Sequence, residues 1–212
     1  MKKKQNKQNL KKHIQNTALN LFSKKGFDSV GMDELARECK ITKSLIYYYF
    51  KSKKDIMDSI MKDLENDSVK MKEKSIETIK SNPQPSMQAM LRVSYDFLES
   101  RQKAIKLMMM ESIKDKPSFS FFPLYNSVFQ KSMGMMDKEN VKIDVNTEFL
   151  LRTFFMGWIP LISFVVFDDK WCKYNKVKKD EAIKKFIEEY ESFYVNNLLS
   201  KYIDDLKKKS DK

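Results

Sequence analysis

The stretch ITKSLIYYYFKSKKDI, residues 41–56, decides the fold. Thr42 stands where an N-cap belongs, ahead of a short helical run from Lys43 to Phe50, because its hydroxyl can accept from a free backbone N–H of the first turn. Ser52 is the next N-cap, and Asp55 three residues on makes a capping-box-like pair with it. That pair opens a long helix with Ile56, Ile60 and Leu64 on its buried face, extended by Ile76 and Ile79. Working backwards, Met32, Leu35, Ala36 and Cys39 fall on one face of a second short helix. Before it, Leu10, Ile14, Ala18, Leu21 and Phe22 recur at helical spacing. That first helix stops at Lys24-Lys25-Gly26, with cations in its last turn and glycine just past it. Three helices, the last two short and joined by a tight turn at Lys40-Ile41, have the layout of a helix-turn-helix.

Composition limits what such a chain can do. It has 212 residues, 42% hydrophobic and 33% charged, a globular balance long enough for a real core. Only four glycines occur, at 26, 31, 134 and 157, so neither GxGxxG nor GxxxxGK[ST] can be written. The single histidine, His13, excludes a multi-histidine metal site, and no nucleophile–base pair is visible. No enzyme activity, metal or cofactor is expected. Cys39 and Cys172 follow no secretory signal and read as reduced thiols, which points to the cytoplasm. The net charge is +12, and residues 1–63 carry 15 basic and 7 acidic side chains. Lysine accounts for 37 of the 41 basic residues, a skew that coding bias alone can produce. The distribution is therefore more telling than the total: a basic N-terminal module precedes a near-neutral remainder, and nucleic acid is the partner such a module suits.

Beyond the break Asn82-Pro83-Gln84-Pro85-Ser86, helical patterns run near 86–101, 103–114, 123–139, 145–167 and 179–206, about nine helices in all, with no alternating strand pattern. The run Thr153–Phe167 carries no charge, but its 15 residues fall short of the roughly 20 that cross a bilayer. It reads as a core or subunit-interface helix, kinked at Pro160 and closely approached at Gly157. Stable membrane insertion is not expected.

Gly26-Phe27, Met32-Asp33-Glu34-Leu35-Ala36 and the block Ile41–Ile56 resemble the DNA-binding domain of the TetR/AcrR family of transcriptional regulators. The resemblance covers about a quarter of the chain. It implies an all-α protein: residues 1–52 a basic arm and homeodomain-like helix-turn-helix, residues 53–212 a helical ligand-binding and dimerisation domain. Position by position it places Lys43, Ser44 and Leu45 at the start of the recognition helix, where family members touch bases. Tyr47 and Tyr48 fall where phosphates, sometimes bases, are reached, and Lys53 where phosphate is contacted. Lysine can donate to guanine O6 and N7, and Leu45 can meet a thymine methyl. Thr42 caps that helix. Val30-Gly31 replaces the family's hydroxyl near the second helix, and Lys40 replaces its turn glycine, at a cost of about 1 kcal/mol in a left-handed conformation that a phosphate contact would offset. Tyr49 and Phe50 are read as core. The lysines at 2, 3, 4 and 7 are read either as a minor-groove arm or as a solvated tail.

The resemblance also implies a dimer through the last two helices, whose final member carries Ile183, Phe186, Ile187, Tyr190, Phe193, Tyr194, Asn197 and Leu198. It further implies an unknown small apolar or aromatic effector between the middle helices. Met90, Phe97, Met109, Tyr125, Phe129, Phe155 and Trp158 are the candidate lining, against the alternative that they are plain core. Asp96, Glu99 and Glu111 are candidate counter-charges for a cationic effector. The expected function is a repressor released from a palindromic operator by that effector. Two rivals stay open: a basic helical protein at a membrane surface, and a DNA-binding regulator without a small ligand.

Overall fold

A computed structural model describes residues 2–81, 87–137 and 145–199. The break at 82–86 and the expected helix end at 206 lie outside the described residues, as do the side chains of Lys2, Lys3, Lys4, Ile76, Ile79, Asn197 and Leu198. Among the described residues the chain is all-helical. The helices are α1 Lys2–Lys25, α2 Met32–Cys39, α3 Lys43–Tyr49, α4 Lys53–Ser81, α5 Met87–Glu99, α6 Gln102–Ser112 and α7 Phe121–Asp137. Then come α8, Thr147–Asn175, and α9, which runs as Lys179–Tyr190 and continues through a π-helical segment Glu191–Leu199. The lysine-rich stretch read as a minor-groove arm or a solvated tail forms the first turns of α1 from Lys2. The residues of this stretch whose side chains are described are exposed, as a solvated helix requires.

The chain divides by packing into two units, Met1–Val69 with Lys103–Phe129, and Lys70–Gln102 with Gln130–Lys212. The first unit is larger than the expected module 1–52. Its core joins Ile14, Ala18 and Phe22 of α1 to Leu35 and Cys39 of α2 and Ile46 of α3. Phe50, Ile56 and Met57 follow, together with Leu107 of α6. Phe119 packs edge-on against Phe27 at 5.2 Å between ring centroids. Lys114 Nζ binds Asp28 Oδ2 at 2.9 Å and Glu111 Oε2 at 2.7 Å. The helix-turn-helix thus shares its core with α6 and the segment after it, because Leu107 and Phe119 supply apolar surface that a three-helix unit with two short helices lacks.

In the second unit α5, α8 and α9 pack around Tyr95, Val165, Ile183 and Ile187. Asp168 is fully buried here: it accepts from the Tyr95 hydroxyl, and Lys179 Nζ stands 3.5 Å away. Lys179 also binds Glu99 at 2.6 Å and Asp169 at 2.7 Å. Burial and the neighbouring Asp168 carboxylate push the Tyr95 phenol well above its usual range, so it stays a donor to that carboxylate. A buried carboxylate is tolerated only when it is hydrogen-bonded and paired in this way.

Helix α8 extends beyond the expected 145–167. Its 29 residues make it long and apolar enough to cross a membrane by length and composition, a correction to the shorter run read from the sequence. Its buried Asp168, clasped by α5 and α9, accounts for it as a packed helix of the second unit. Instead of a simple proline kink, a π-helical segment Arg152–Trp158 leads into Pro160. Widening a turn here lets Tyr190 donate to the Gly157 carbonyl at 2.9 Å. A Cβ on Gly157 would lie 2.5 Å from Tyr194 Oη, so the close approach requires glycine.

Candidate nucleic-acid interface

Helix α3 is made by its caps. Thr42 is extended (φ −74°, ψ 149°), and its hydroxyl accepts from Leu45 N at 3.3 Å. Phe50 returns to extended backbone at φ −140° and ends the helix. Ser52 then accepts from Asp55 N at 3.0 Å, while the Asp55 carboxylate accepts from Lys51 N at 2.8 Å. The second contact is one residue upstream of a standard capping box. Before α3, Lys40 is left-handed (φ 56°, ψ 40°), and its N–H donates to Arg37 O at 3.1 Å. Its turn geometry is therefore the one usually given to glycine.

These caps leave a seven-residue helix with one fully buried side chain, Ile46, and one packed at the core edge, Tyr49. Lys43, Ser44, Tyr47 and Tyr48 face solvent, Tyr47 being 47% and Tyr48 66% exposed. They pair at four-residue spacing, 43 with 47 and 44 with 48, so they form one stripe. Phenols on a helix anchored by one buried side chain and projecting into water present hydroxyls to a hydrated partner. Leu45 is half-buried beside them.

Two of these side chains already hold partners. Lys43 Nζ donates to Asp33 Oδ2 at 2.8 Å, and that bond raises the lysine pKa. Lys7 Nζ donates to Tyr48 Oη at 3.1 Å and stands 4.8 Å from its ring centroid. Lys53 also holds partners. Its Nζ donates to Phe27 O at 2.8 Å and Asp28 O at 3.2 Å and lies over the Phe27 ring, tying the start of α4 to the loop after α1. Gly31 caps α2 with no side-chain hydrogen bond. An open groove between α2 and α3 is lined by Asp33, Arg37, Lys40, Thr42 and Lys43. Asp33, the partner of Lys43, is the residue that the sequence reading missed. The signal available was the ten-residue separation of Asp33 and Lys43 across a tight turn.

The candidate effector residues do not gather in one unit. Met109, Tyr125 and Phe129 belong to the first, Met90, Phe97, Phe155 and Trp158 to the second. Tyr125 and Phe129 stack at 5.7 Å in the core of the first. Phe155 is 51% exposed on α8. Of the candidate counter-charges, Asp96 pairs with Arg92, Glu99 with Lys179 and Glu111 with Lys114.

This stripe stands on a helix-turn-helix whose inner face is buried, at the N-terminal end of an all-helical chain. Residues 14–60 match the family model described as bacterial regulatory proteins, tetR family. The N-terminal helix-turn-helix is thus similar to the DNA-binding domain of TetR/AcrR-family transcriptional regulators. It is 32% identical over 100 residues to the uncharacterised HTH-type transcriptional regulator YuxN of Bacillus subtilis, covering 47% of this chain and 34% of that protein. It is 40% identical over 53 residues to the biofilm operon negative transcriptional regulator IcaR of Staphylococcus aureus, covering 25% of this chain and 28% of that one. The chain thus spans about a third or less of the length of these relatives. Among solved structures, the regulator FadR of Bacillus subtilis in complex with stearoyl-CoA aligns over 88% of this chain and 98% of its own, with TM-score 0.57 and 14% identity. A TetR-family regulator from Haemophilus influenzae aligns over 88% and 96%, with TM-score 0.56 and 14% identity. At such identities the likeness is one of fold.

Proposed function

We propose that the chain is a DNA-binding transcriptional repressor acting as a homodimer on a palindromic operator in the cytoplasm, and that a small apolar or aromatic effector releases it. The observation that carries this reading is the exposed stripe of Lys43, Ser44, Tyr47 and Tyr48 on α3, held out by buried Ile46 and Phe50. Core aromatics would be covered; these are not. The similarity to IcaR, a negative transcriptional regulator, supports repression.

Dimerisation is supported by α8 and α9. Leu151, Phe155, Met156, Phe167, Trp171 and Phe193 are each about half exposed or more. Apolar surface of this extent is normally covered. A two-fold partner across α8 and α9 would cover it and set two α3 helices on half-sites about 34 Å apart.

Release by effector is supported by the methionine and aromatic content of the middle helices and by the acyl-CoA bound in the FadR neighbour. Helix α4 runs from Lys53 to Ser81 and belongs to both units. A ligand that shifts its second half would move the helix that starts at the Ser52 cap. Operator and effector would then weaken each other's binding by about 1–3 kcal/mol. Burial lowers the pKa of Lys72 on this helix, and an acidic head group beside it would favour its charged form.

Selection of bound duplexes from a random pool by the full chain tests the reading. An enriched palindrome is expected, bound tightly at physiological salt. Absence of enrichment, with binding to anionic vesicles instead, would favour the membrane-surface rival.

A further inference from the structure

Lys43 is the residue best placed to donate to a base edge, yet its ammonium is already occupied: Asp33 Oδ2 lies 2.8 Å away across the groove between α2 and α3. Both side chains are well exposed, Lys43 at 45% and Asp33 at 73%, so either can leave the pair without unfolding anything. Arg37 and Lys40 line the same groove. The carboxylate therefore sits among cations on the surface that meets the phosphate backbone.

We infer that Asp33 is a specificity-determining residue, which neutralises Lys43 away from the operator and releases it only to a base that can accept its protons. The inference rests on the DNA-binding role proposed above. Non-specific affinity comes from unpaired cations that displace counterions from phosphates. A lysine held by a carboxylate contributes little of it. On a random duplex Lys43 gains nothing from leaving Asp33. Over a guanine it exchanges one acceptor for two, O6 and N7, and the freed Asp33 carboxylate can accept from a cytosine N4 amine. The pair would thus read a G·C step and penalise others, discrimination obtained by weakening the wrong complex.

Fluorescence anisotropy of the full chain, on the duplex it selects from a random pool and on a scrambled duplex of the same composition, tests this. Asp33→Asn is expected to tighten binding to the scrambled duplex about threefold per site, to steepen the salt slope by about one ion, and to leave the selected duplex nearly unchanged. The selected-to-scrambled ratio therefore falls. In a Lys43→Ala background, Asp33→Asn should give much less of this gain. An equal gain in both backgrounds would mean that Asp33 acts only as a bulk charge, and would overturn the inference. So would an unchanged ratio in Asp33→Asn when the wild type binds its selected duplex. A wild-type chain that prefers no duplex overturns the DNA reading itself, and is read from the wild-type arm alone.

Discussion

Helices α3 and α8 both leave aromatic side chains in water, and they do it differently. On α3 the exposed aromatics are Tyr47 and Tyr48, each ending in a hydroxyl, interleaved with Lys43 and Ser44. On α8 they include Phe155, Phe167 and Trp171, alongside Leu151 and Met156. The first set is amphipathic and remains content in water. It suits a hydrated, anionic partner that displaces some water and keeps the rest. The second offers mainly apolar area and gains chiefly by excluding water altogether. The contrast gives the proposed nucleic-acid face and the proposed dimer face different chemistries.

The largest expected effect breaks the apolar side. Phe155→Asp, which places a charge on the surface a partner would cover, should convert a dimer to a monomer in sedimentation and lower affinity for a two-half-site duplex by about 100-fold or more. A monomeric wild type, or an unchanged dimer in the variant, would show that this face has another use. Next in size is the anchor of the polar side: Ile46→Ala should cost about 2–5 kcal/mol in denaturant unfolding, because Ile46 is fully buried. The exposed stripe should behave in the opposite way. Tyr47→Ala and Lys43→Ala should each lose about 5- to 100-fold in affinity for the selected duplex while unfolding as the wild type does. Within the second unit, Gly157→Ala must displace the Tyr194 ring and should destabilise by about 1–3 kcal/mol. Lys40→Gly should have the smallest effect, a gain of up to about 1 kcal/mol from relief of the left-handed residue. If Lys40 contacts phosphate, that variant also binds DNA with a shallower salt slope.

The same contrast explains what could be read from the residues alone. The α3 region is built from local devices, the Thr42 and Ser52 caps, the Lys40 turn and the apolar position of Ile46, and each acts within a few residues, so spacing reveals it. The roles of Lys53 and Asp33 depend on partners 25 or 26 and 10 residues away, and no periodicity encodes such a meeting. The hydrogen bonds of Lys53 could not be read in advance because its backbone acceptors, Phe27 O and Asp28 O, have no side-chain signature. The packing of α6 with the DNA module was hidden for a related reason: Leu107 and Phe119 are apolar in a stretch full of apolar residues. The turn widened between Arg152 and Trp158 has no marker beyond Gly157 and Pro160, which suggested a kink in its place. For the effector residues, methionine and phenylalanine look alike in a core and in a cavity.

The central claim is that α3 enters a major groove with Lys43 and Tyr47 toward the bases. Dimethyl sulfate protection of guanine N7 on the selected duplex tests it most directly, since that atom is exposed only in the major groove. The account predicts two protected patches about one helical turn or a little more apart, both lost in Lys43→Ala and Tyr47→Ala. Protection that persists in both variants, or tight binding with every N7 still reactive, would contradict it.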